Sequence, residues 1–161
     1  MKVLKKQSNS KMCIICGIEN EAGIKAPFYE MEDNSVVTIF EYKEIHQSYP
    51  GRTHGGMISC LLDELVGRAI WISEPNVWGV TMTLTVKFRK PVPYNTKLKG
   101  IGRIINNKPM HFEGTGEIYD MNGNLLASAE ASYMKLPLDK IANSNHEDVN
   151  IYIPDDVKEI D

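Results

Sequence analysis

One segment near the middle of the chain has apolar residues at helical spacing. Between His54 and Ser73 they recur three or four positions apart and form one broad stripe: Met57, Ile58, Leu61, Leu62, Leu65, Val66, Ala69 and Ile70. Pro75 follows, and proline does not continue a helix. The spacing therefore predicts one long amphipathic helix, which must bury its apolar stripe against a second layer.

Alternating apolar and polar residues predict strands on both sides of this helix. The predicted strands are residues 35–42 before the helix and residues 80–88, 96–105, 111–120 and 125–134 after it. Asn122-Gly123 predicts a type I′ hairpin turn, and Gly100 and Gly102 predict bulges or bends. One helix against a mostly antiparallel sheet of five to six strands is a two-layer α+β domain.

The two ends of the chain lack this periodicity. Residues 1–12 are polar and basic and predict a flexible tail, and residues 13–31 are interpreted as a loop with turns. Residues 137–161 form an acidic extension that either wraps the domain or is mobile. The predicted folded domain is therefore residues 13–136.

Composition restricts the class of partner. The 161 residues carry a net charge of -3, whereas nucleic-acid binders are usually basic, so no nucleic-acid partner is expected. No apolar run approaches the roughly 18 residues of a membrane helix, so no membrane partner is expected. The basic N-terminus lacks the apolar region of a secretory signal, and an odd number of cysteines does not make a disulfide framework. We expect a cytoplasmic protein.

The start of the predicted helix carries the sharpest local motif, His54-Gly55-Gly56. Glycines let a ligand approach the backbone closely. The first N–H groups of a helix lack intrahelical acceptors and carry partial positive charge, so the N–H of Gly55 could stabilise an oxyanion. Taken alone, such a tripeptide more often serves only a tight turn.

Two carboxylates lie in the middle of the predicted helix. Glu64 has Arg68 four residues later, which is the favourable order for an ion pair and gives Glu64 a structural role. Asp63 has no such partner, and the helix face around it holds small residues. These are Ser59, Cys60 and Gly67. Another surface can therefore approach Asp63, whose carboxylate is either solvated or a general base or nucleophile in a partly closed interface.

His54 and Asp63 are too far apart to serve one site within one chain. They are nine residues apart in the sequence, or roughly 13 Å along a helix that rises ~1.5 Å per residue. If both residues act on one substrate carbonyl, they come from different subunits. A two-fold dimer would form two equivalent sites, so we expect a homodimer at minimum, with a tetramer as the alternative.

Cys13-x-x-Cys16 suggests metal or redox chemistry at first sight. A structural zinc needs about four ligands, and the third cysteine, Cys60, lies inside the predicted helix. The histidines show no ligand spacing: His46, His54, His111 and His146. No strand and helix frame the pair as in redox proteins. The sequence therefore favours a protein without metal, in which both cysteines are dispensable for catalysis and chelators leave activity intact.

Basic residues cluster along the predicted strands and the loop between two of them. They are Lys87, Arg89, Lys90, Lys97, Lys99 and Arg103. Such charges either protect a solvated sheet edge or form a phosphate site for a nucleotide-bearing substrate.

The stretch from Tyr49 to Glu64 resembles the hotdog-fold acyl-CoA thioesterases, in particular the PaaI-like branch of the phenylacetic acid pathway. The specific feature is His-Gly-Gly followed, nine residues after its His, by an Asp on an amphipathic helix that precedes a sheet. The resemblance covers about residues 13–135, and residues 13–25 are similar to a segment common in that branch. It implies the hotdog fold, hydrolysis of acyl-CoA or related thioesters, and no cofactor other than the coenzyme A of the substrate.

The resemblance also implies roles for individual residues. The N–H of Gly55 would bind the thioester carbonyl, and His54 would help to hold the loop. Asp63 of the neighbouring subunit would activate water or attack directly, assisted by Thr81. The expected substrate contacts are Gly56, Met57 and Trp71, with Arg89 and Lys90 for the phosphates of coenzyme A.

One position departs from the family pattern. Family members often carry Asn six residues before the His, where this chain has Ser48 with Gln47 adjacent. Ser48 or Gln47 would then orient water, although a serine offers fewer hydrogen-bonding groups. This departure leaves Glu64 open as the alternative working carboxylate.

Two other functions stay open on the sequence. A non-catalytic acyl-CoA-binding module is favoured slightly by Ser48 and opposed by the presence of Asp63. A hotdog enoyl-CoA hydratase or dehydratase would use a His with a carboxylate a few residues later, and His54 is followed by none until Asp63.

Overall fold

The computed structural model describes residues 1–143 and 146–161. Residues 144 and 145 belong to the predicted C-terminal extension and lie outside the described residues. The elements are β1 (Val3–Lys6), β2 (Tyr29–Met31), β3 (Val36–Glu41), α1 (Gly55–Ala69), β4 (Trp78–Phe88), β5 (Lys97–Asn107), β6 (His111–Asp120), β7 (Leu125–Leu136) and α2 (Leu138–Ile141). Short 3₁₀ helices lie at Glu44–His46, Ile70–Ile72 and His146–Val149. No helix among the described residues has the length and apolar character needed to cross a bilayer.

The seven strands form one antiparallel sheet in the order β1-β2-β3-β5-β6-β7-β4. Helix α1 packs across one face of this sheet, so the α+β prediction is confirmed. The sheet has more strands than the five to six predicted. The two additional strands, β1 and β2, have four and three residues and are too short to show an alternating pattern.

The segment predicted as a flexible tail, residues 1–12, contains the strand β1. Lys2 pairs with Glu159 and Asn9 pairs with Ile151, which shows that the C-terminal extension wraps the domain. A polar segment is ordered here because its hydrogen-bonding partners come from the other end of the chain, which a local pattern does not reveal.

Helix α1 lies very close to the sheet because β5 and β6 carry glycines beneath it. A Cβ on Gly102 would overlap the carbonyl oxygen of Leu65, and a Cβ on Gly114 would lie 2.6 Å from Cγ1 of Val66. Gly102 is paired across the strands with Gly116. These glycines serve the contact between helix and sheet, so the prediction of bulges at Gly100 and Gly102 is wrong.

The hairpin between β6 and β7 is present, but its turn is not of type I′. Gly123 has a φ of 83°, whereas Asn122 is not among the residues with positive φ. The carboxylate of Asp120 accepts the backbone N–H groups of Asn122 and Asn124 at 2.9 and 2.8 Å. This side-chain bonding stabilises a longer loop that needs positive φ at the glycine alone.

Candidate active site

The start of α1 has the geometry of an anion site. His54 is the N-cap residue, and its Nδ1 accepts the N–H of Gly56 at 2.9 Å. Because Nδ1 accepts, the ring proton of a neutral His54 is on Nε2. The N–H of Gly55 is the first of the helix and has no acceptor within the described chain. The motif thus leaves one N–H of a helix N-terminus free for a ligand.

Gln47 and Ser48 lie in the loop that returns to this helix start. Gln47 pairs with Thr53, and the N–H of His54 donates to the carbonyl of His46 at 2.8 Å. The N–H of Ser48 donates to the carbonyl of Arg52 at 2.9 Å. Both candidate side chains are exposed. The loop therefore places them beside the motif, and their role in orienting water stays a prediction.

Arg89 and Lys90 directly follow the end of β4. They follow Phe88, whose ring would be 3.4 Å from a Cβ on Gly55. Both side chains are exposed, and Arg89 donates to the Ser128 hydroxyl at 3.3 Å. Ser128 alternates along β7 with the core residues Ala127 and Ala129, so the Arg89 side chain lies on the sheet face away from α1. The predicted phosphate contacts of Arg89 and Lys90 stay a prediction.

Asp63 is held by two hydroxyl groups from the sheet. Oδ1 of Asp63 accepts the hydroxyl of Thr81 at 2.8 Å and that of Tyr133 at 2.9 Å. The Tyr133 hydroxyl also lies 2.8 Å from the backbone carbonyl of Asp63. Oδ2 accepts no hydrogen bond from any described residue. The carboxylate is therefore oriented through one oxygen while the other stays available.

A bulge in β4 turns Thr81 toward the helix. Thr81 lies directly opposite Tyr133, and the register of β4 against β7 shifts between Thr81 and Thr83. Beyond the shift it is Leu84 that lies opposite the buried Ala131 and packs against the core. The extra residue therefore reverses which alternate side chains of β4 face α1.

Tyr133 is fixed by its packing. Its ring stacks on Phe112 with centroids 4.8 Å apart, and Gly79 leaves the space that both rings need. Burial and the charge of Asp63 raise the pKa of Tyr133, so its hydroxyl stays protonated and remains a donor. Tyr133 was not predicted as a site residue. The available signal was a tyrosine on an alanine-rich apolar face, since a buried tyrosine hydroxyl needs a partner.

Asp63 opens onto a cavity of about 230 Å³. Its lining includes Glu64, Arg68, Trp71, Trp78, Gly79, Thr81 and Tyr133. Trp71 packs edge-on against Trp78 and donates its Nε1–H to the carbonyl of Val77 at 2.9 Å. Met57 does not line this cavity, because it lies near the opposite end of α1.

Glu64, unlike Asp63, forms an ion pair. Its Oε1 accepts a hydrogen bond from Nε of Arg68 at 2.7 Å, as the helical spacing predicts. Arg68 is buried and its guanidinium lies over the rings of Phe28 and Trp71. Oε2 of Glu64 faces Sγ of Cys13 at 3.9 Å. Glu64 is therefore committed to a structural ion pair.

The structure brings the candidate residues together in two groups, at the two regions of α1 that the sequence predicted. One group surrounds Gly55, with Gln47 and Ser48, whereas Arg89 bonds Ser128 on the other face of the sheet. The other surrounds Asp63, with Thr81 and Trp71. The helix between them keeps the two groups apart within one chain.

No family model matches the sequence, and no curated protein does. Solved structures share its architecture. A thioesterase-superfamily protein superposes with a TM-score of 0.70 at 24% sequence identity, over 76% of this chain and 63% of that one. A phenylacetic acid degradation-related protein from Ralstonia eutropha JMP134, described as a thioesterase, superposes with a TM-score of 0.62 at 20% identity, over 69% and 85%.

A thioesterase protein from Streptococcus pneumoniae TIGR4, solved with coenzyme A, superposes with a TM-score of 0.61 at 20% identity, over 70% of this chain and 86% of that one. At this level of identity the likeness concerns the fold. The chain has the hotdog fold, with α1 lying across a single antiparallel sheet, as the sequence resemblance implied.

Proposed function

We propose that the chain hydrolyses acyl-CoA or closely related thioesters. The observation that carries the proposal is the carboxylate of Asp63, which faces a cavity while two hydroxyl groups hold one of its oxygens. An oriented carboxylate with a free oxygen can take a proton from water or attack a carbonyl carbon.

The reaction needs a second group for the carbonyl oxygen. The N–H of Gly55 lies at the positive end of the α1 dipole, where negative charge on an oxygen is stabilised. Water activated by Oδ2 of Asp63 would add to the thioester carbon, and the oxyanion would form at Gly55. Collapse of that adduct breaks the carbon–sulfur bond, and the proton that Asp63 took from water passes to the leaving thiolate, so the thiol and the acid are released and Asp63 is again a carboxylate.

A complete site requires two chains, because the two groups lie about 13 Å apart along one helix. The free edge of β4 supports such an assembly. This strand has eleven residues and ends the sheet, and its outer edge pairs with no strand in the described ranges. Val80, Met82 and Phe88 expose apolar surface along it. A second copy of the chain that pairs with this edge would cover the exposed backbone groups of β4.

Substrate recognition follows from the two groups. Arg89 and Lys90 follow the end of β4, and their charges suit the phosphates of coenzyme A. The cavity beside Asp63, with Trp71 and Trp78 in its lining, suits an apolar acyl group. Met57 and Trp71 lie toward opposite ends of α1, so one acyl pocket includes both only if two chains contribute.

Steady-state hydrolysis of short, long and aromatic acyl-CoAs tests the proposal, with release of the coenzyme A thiol as the measured quantity. We expect turnover of at least one class, and turnover slower by roughly 10²-fold or more with Asp63→Asn. Saturable binding of acyl-CoAs without turnover would indicate a binding module instead. Hydration of an enoyl-CoA without thioester cleavage would indicate a hydratase.

Mixed dimers test whether the site is shared. Gly55→Pro removes the N–H while keeping a residue that the first position of a helix tolerates. Neither Gly55→Pro nor Asp63→Asn should be active alone. After both chains are unfolded and refolded together, half of the dimers are mixed and each has one intact site, so about a quarter of the activity should return. No recovery in verified mixed dimers would contradict a site built from two chains.

A further inference from the structure

A second cluster of chemically reactive side chains lies beside Asp63. Cys13 and Cys16 are on a tight turn in which the N–H of Gly17 donates to the carbonyl of Cys13 at 2.8 Å. A Cβ at Gly17 would overlap that carbonyl, so the turn requires glycine there. The two sulfur atoms and a carboxylate oxygen of Glu64 all lie within 4.8 Å of one another. The turn and α1 thus bring three ligand atoms to one point.

The hydrogen bonds of the cluster leave these three atoms facing each other. Arg68 holds Oε1 of Glu64, so Oε2 is the oxygen that faces Cys13. The N–H of Ile15 lies 3.3 Å from the sulfur of Cys13 and donates to it. The sulfur of Cys16 lies 3.3 Å from the hydroxyl of Ser10. Metal ligands in proteins are commonly oriented by such outer hydrogen bonds.

The charges of the cluster are not balanced within the described residues. Two thiolates and a carboxylate would bring three negative charges together, and Arg68 supplies one positive charge beside them. A divalent cation would balance the two remaining negative charges.

We propose that Cys13, Cys16 and Glu64 bind a thiophilic divalent cation of the Zn²⁺ type. Zinc binds thiolate at about 2.3 Å and carboxylate at about 2.0–2.2 Å, so the ligand atoms around a tetrahedral zinc lie less than 4.8 Å apart. The three atoms would therefore need to move only slightly closer together to bind it. The three atoms border the cavity of about 230 Å³, which leaves the fourth position for water or another small ligand.

This proposal goes beyond the proposed hydrolysis and does not depend on it. Such a cation would tie the turn of residues 13–17 to α1 and stabilise one wall of the cavity beside Asp63. The spacing of the cysteines and histidines alone predicts no zinc site, whereas Glu64 approaches the pair only in the folded chain.

Cobalt is the probe, because Co²⁺ in a tetrahedral thiolate site has charge-transfer bands in the near ultraviolet and strong d–d bands in the visible. Reduced, metal-free full-length protein should bind one Co²⁺ per chain with both sets of bands, and Zn²⁺ should displace it. Cys13→Ser and Glu64→Gln should each weaken binding by at least about 100-fold, the upper end of what losing an outer-shell partner costs. Cys60→Ser is the matched control, since Cys60 lies outside the cluster and should change nothing.

Circular dichroism shows whether each variant is folded. X-ray absorption at the zinc edge of the wild-type protein needs no variant and should show two sulfur ligands together with oxygen ligands. Spectra without sulfur ligands, or Co²⁺ binding that survives Cys13→Ser in folded protein, would overturn the proposal. The proposal would also be overturned if reduced wild-type protein bound no Co²⁺, even if the two cysteines form a disulfide on oxidation.

Discussion

The hydroxyl of Tyr133 provides a test of how Asp63 is positioned. Tyr133→Phe removes the hydroxyl 2.9 Å from Oδ1 of Asp63 and keeps the ring that stacks on Phe112 at 4.8 Å. Hydrogen bonds to charged groups contribute about 1.5–3 kcal/mol. Since about 1.4 kcal/mol corresponds to a tenfold change in rate, full loss of the orientation would lower kcat by about 10- to 150-fold.

We expect a fall in kcat of about tenfold or more, because the Thr81 hydroxyl still holds the same oxygen. KM should change little if substrate dissociates faster than it reacts. The assay is release of the coenzyme A thiol, with the protein's own cysteines subtracted. Tyr119→Phe is the matched control, since the Tyr119 hydroxyl donates to Glu117 at 2.9 Å outside the cavity. Folded Tyr133→Phe with the kcat of the wild type would refute this positioning role.

Two further predictions concern packing and thiol chemistry. Gly102→Ala should lower the free energy of unfolding by about 2–3 kcal/mol in urea denaturation, because its Cβ would overlap a carbonyl oxygen of α1. Gly67→Ala, whose Cβ would make an ordinary 3.4 Å contact on the same helix, should be neutral or up to about 1 kcal/mol more stable, and equal losses would contradict the close packing. A hydrogen bond from Cys16 lowers the pKa of Cys13 to about 6, so in chelator-treated, reduced protein alkylation of Cys13 should rise with pH through that value and level off near neutrality, as followed by mass spectrometry. Alkylation of Cys60, whose pKa is raised by burial, should still be rising there, and identical pH profiles would contradict the assignment.

The long helix and the strands after it could be predicted because their signals are local. The apolar stripe of α1 and the alternation of β4 to β7 both depend on neighbours within a few residues. Strands β1 and β2 could not be predicted in this way. They are short, and their order depends on Glu159, Ile151 and other residues far away in the sequence.

The contacts around Asp63 also depend on residues that are distant in the sequence, and only some of them could be predicted. Helical spacing identified Asp63 as a carboxylate without a partner at the next turn, and the family resemblance implied that Thr81 lies near it. Simple alternation would have placed Thr81 on the face away from α1, because the bulge in β4 gives no local signal. Tyr133 and the approach of Glu64 to Cys13 depend on tertiary packing and were not predicted.

The most direct test of the account compares two neighbouring carboxylates on one helix. Asp63→Asn keeps the size of the side chain but removes the charge that activates water, and kcat for acyl-CoA hydrolysis should fall by roughly 10²-fold or more. Glu64→Gln should lower kcat by less than about tenfold, because Glu64 is held by Arg68 and its ion pair contributes to stability. A folded Asp63→Asn variant that retains its kcat, or a large loss at Glu64 alone, would contradict the assignment of Asp63 as the working carboxylate.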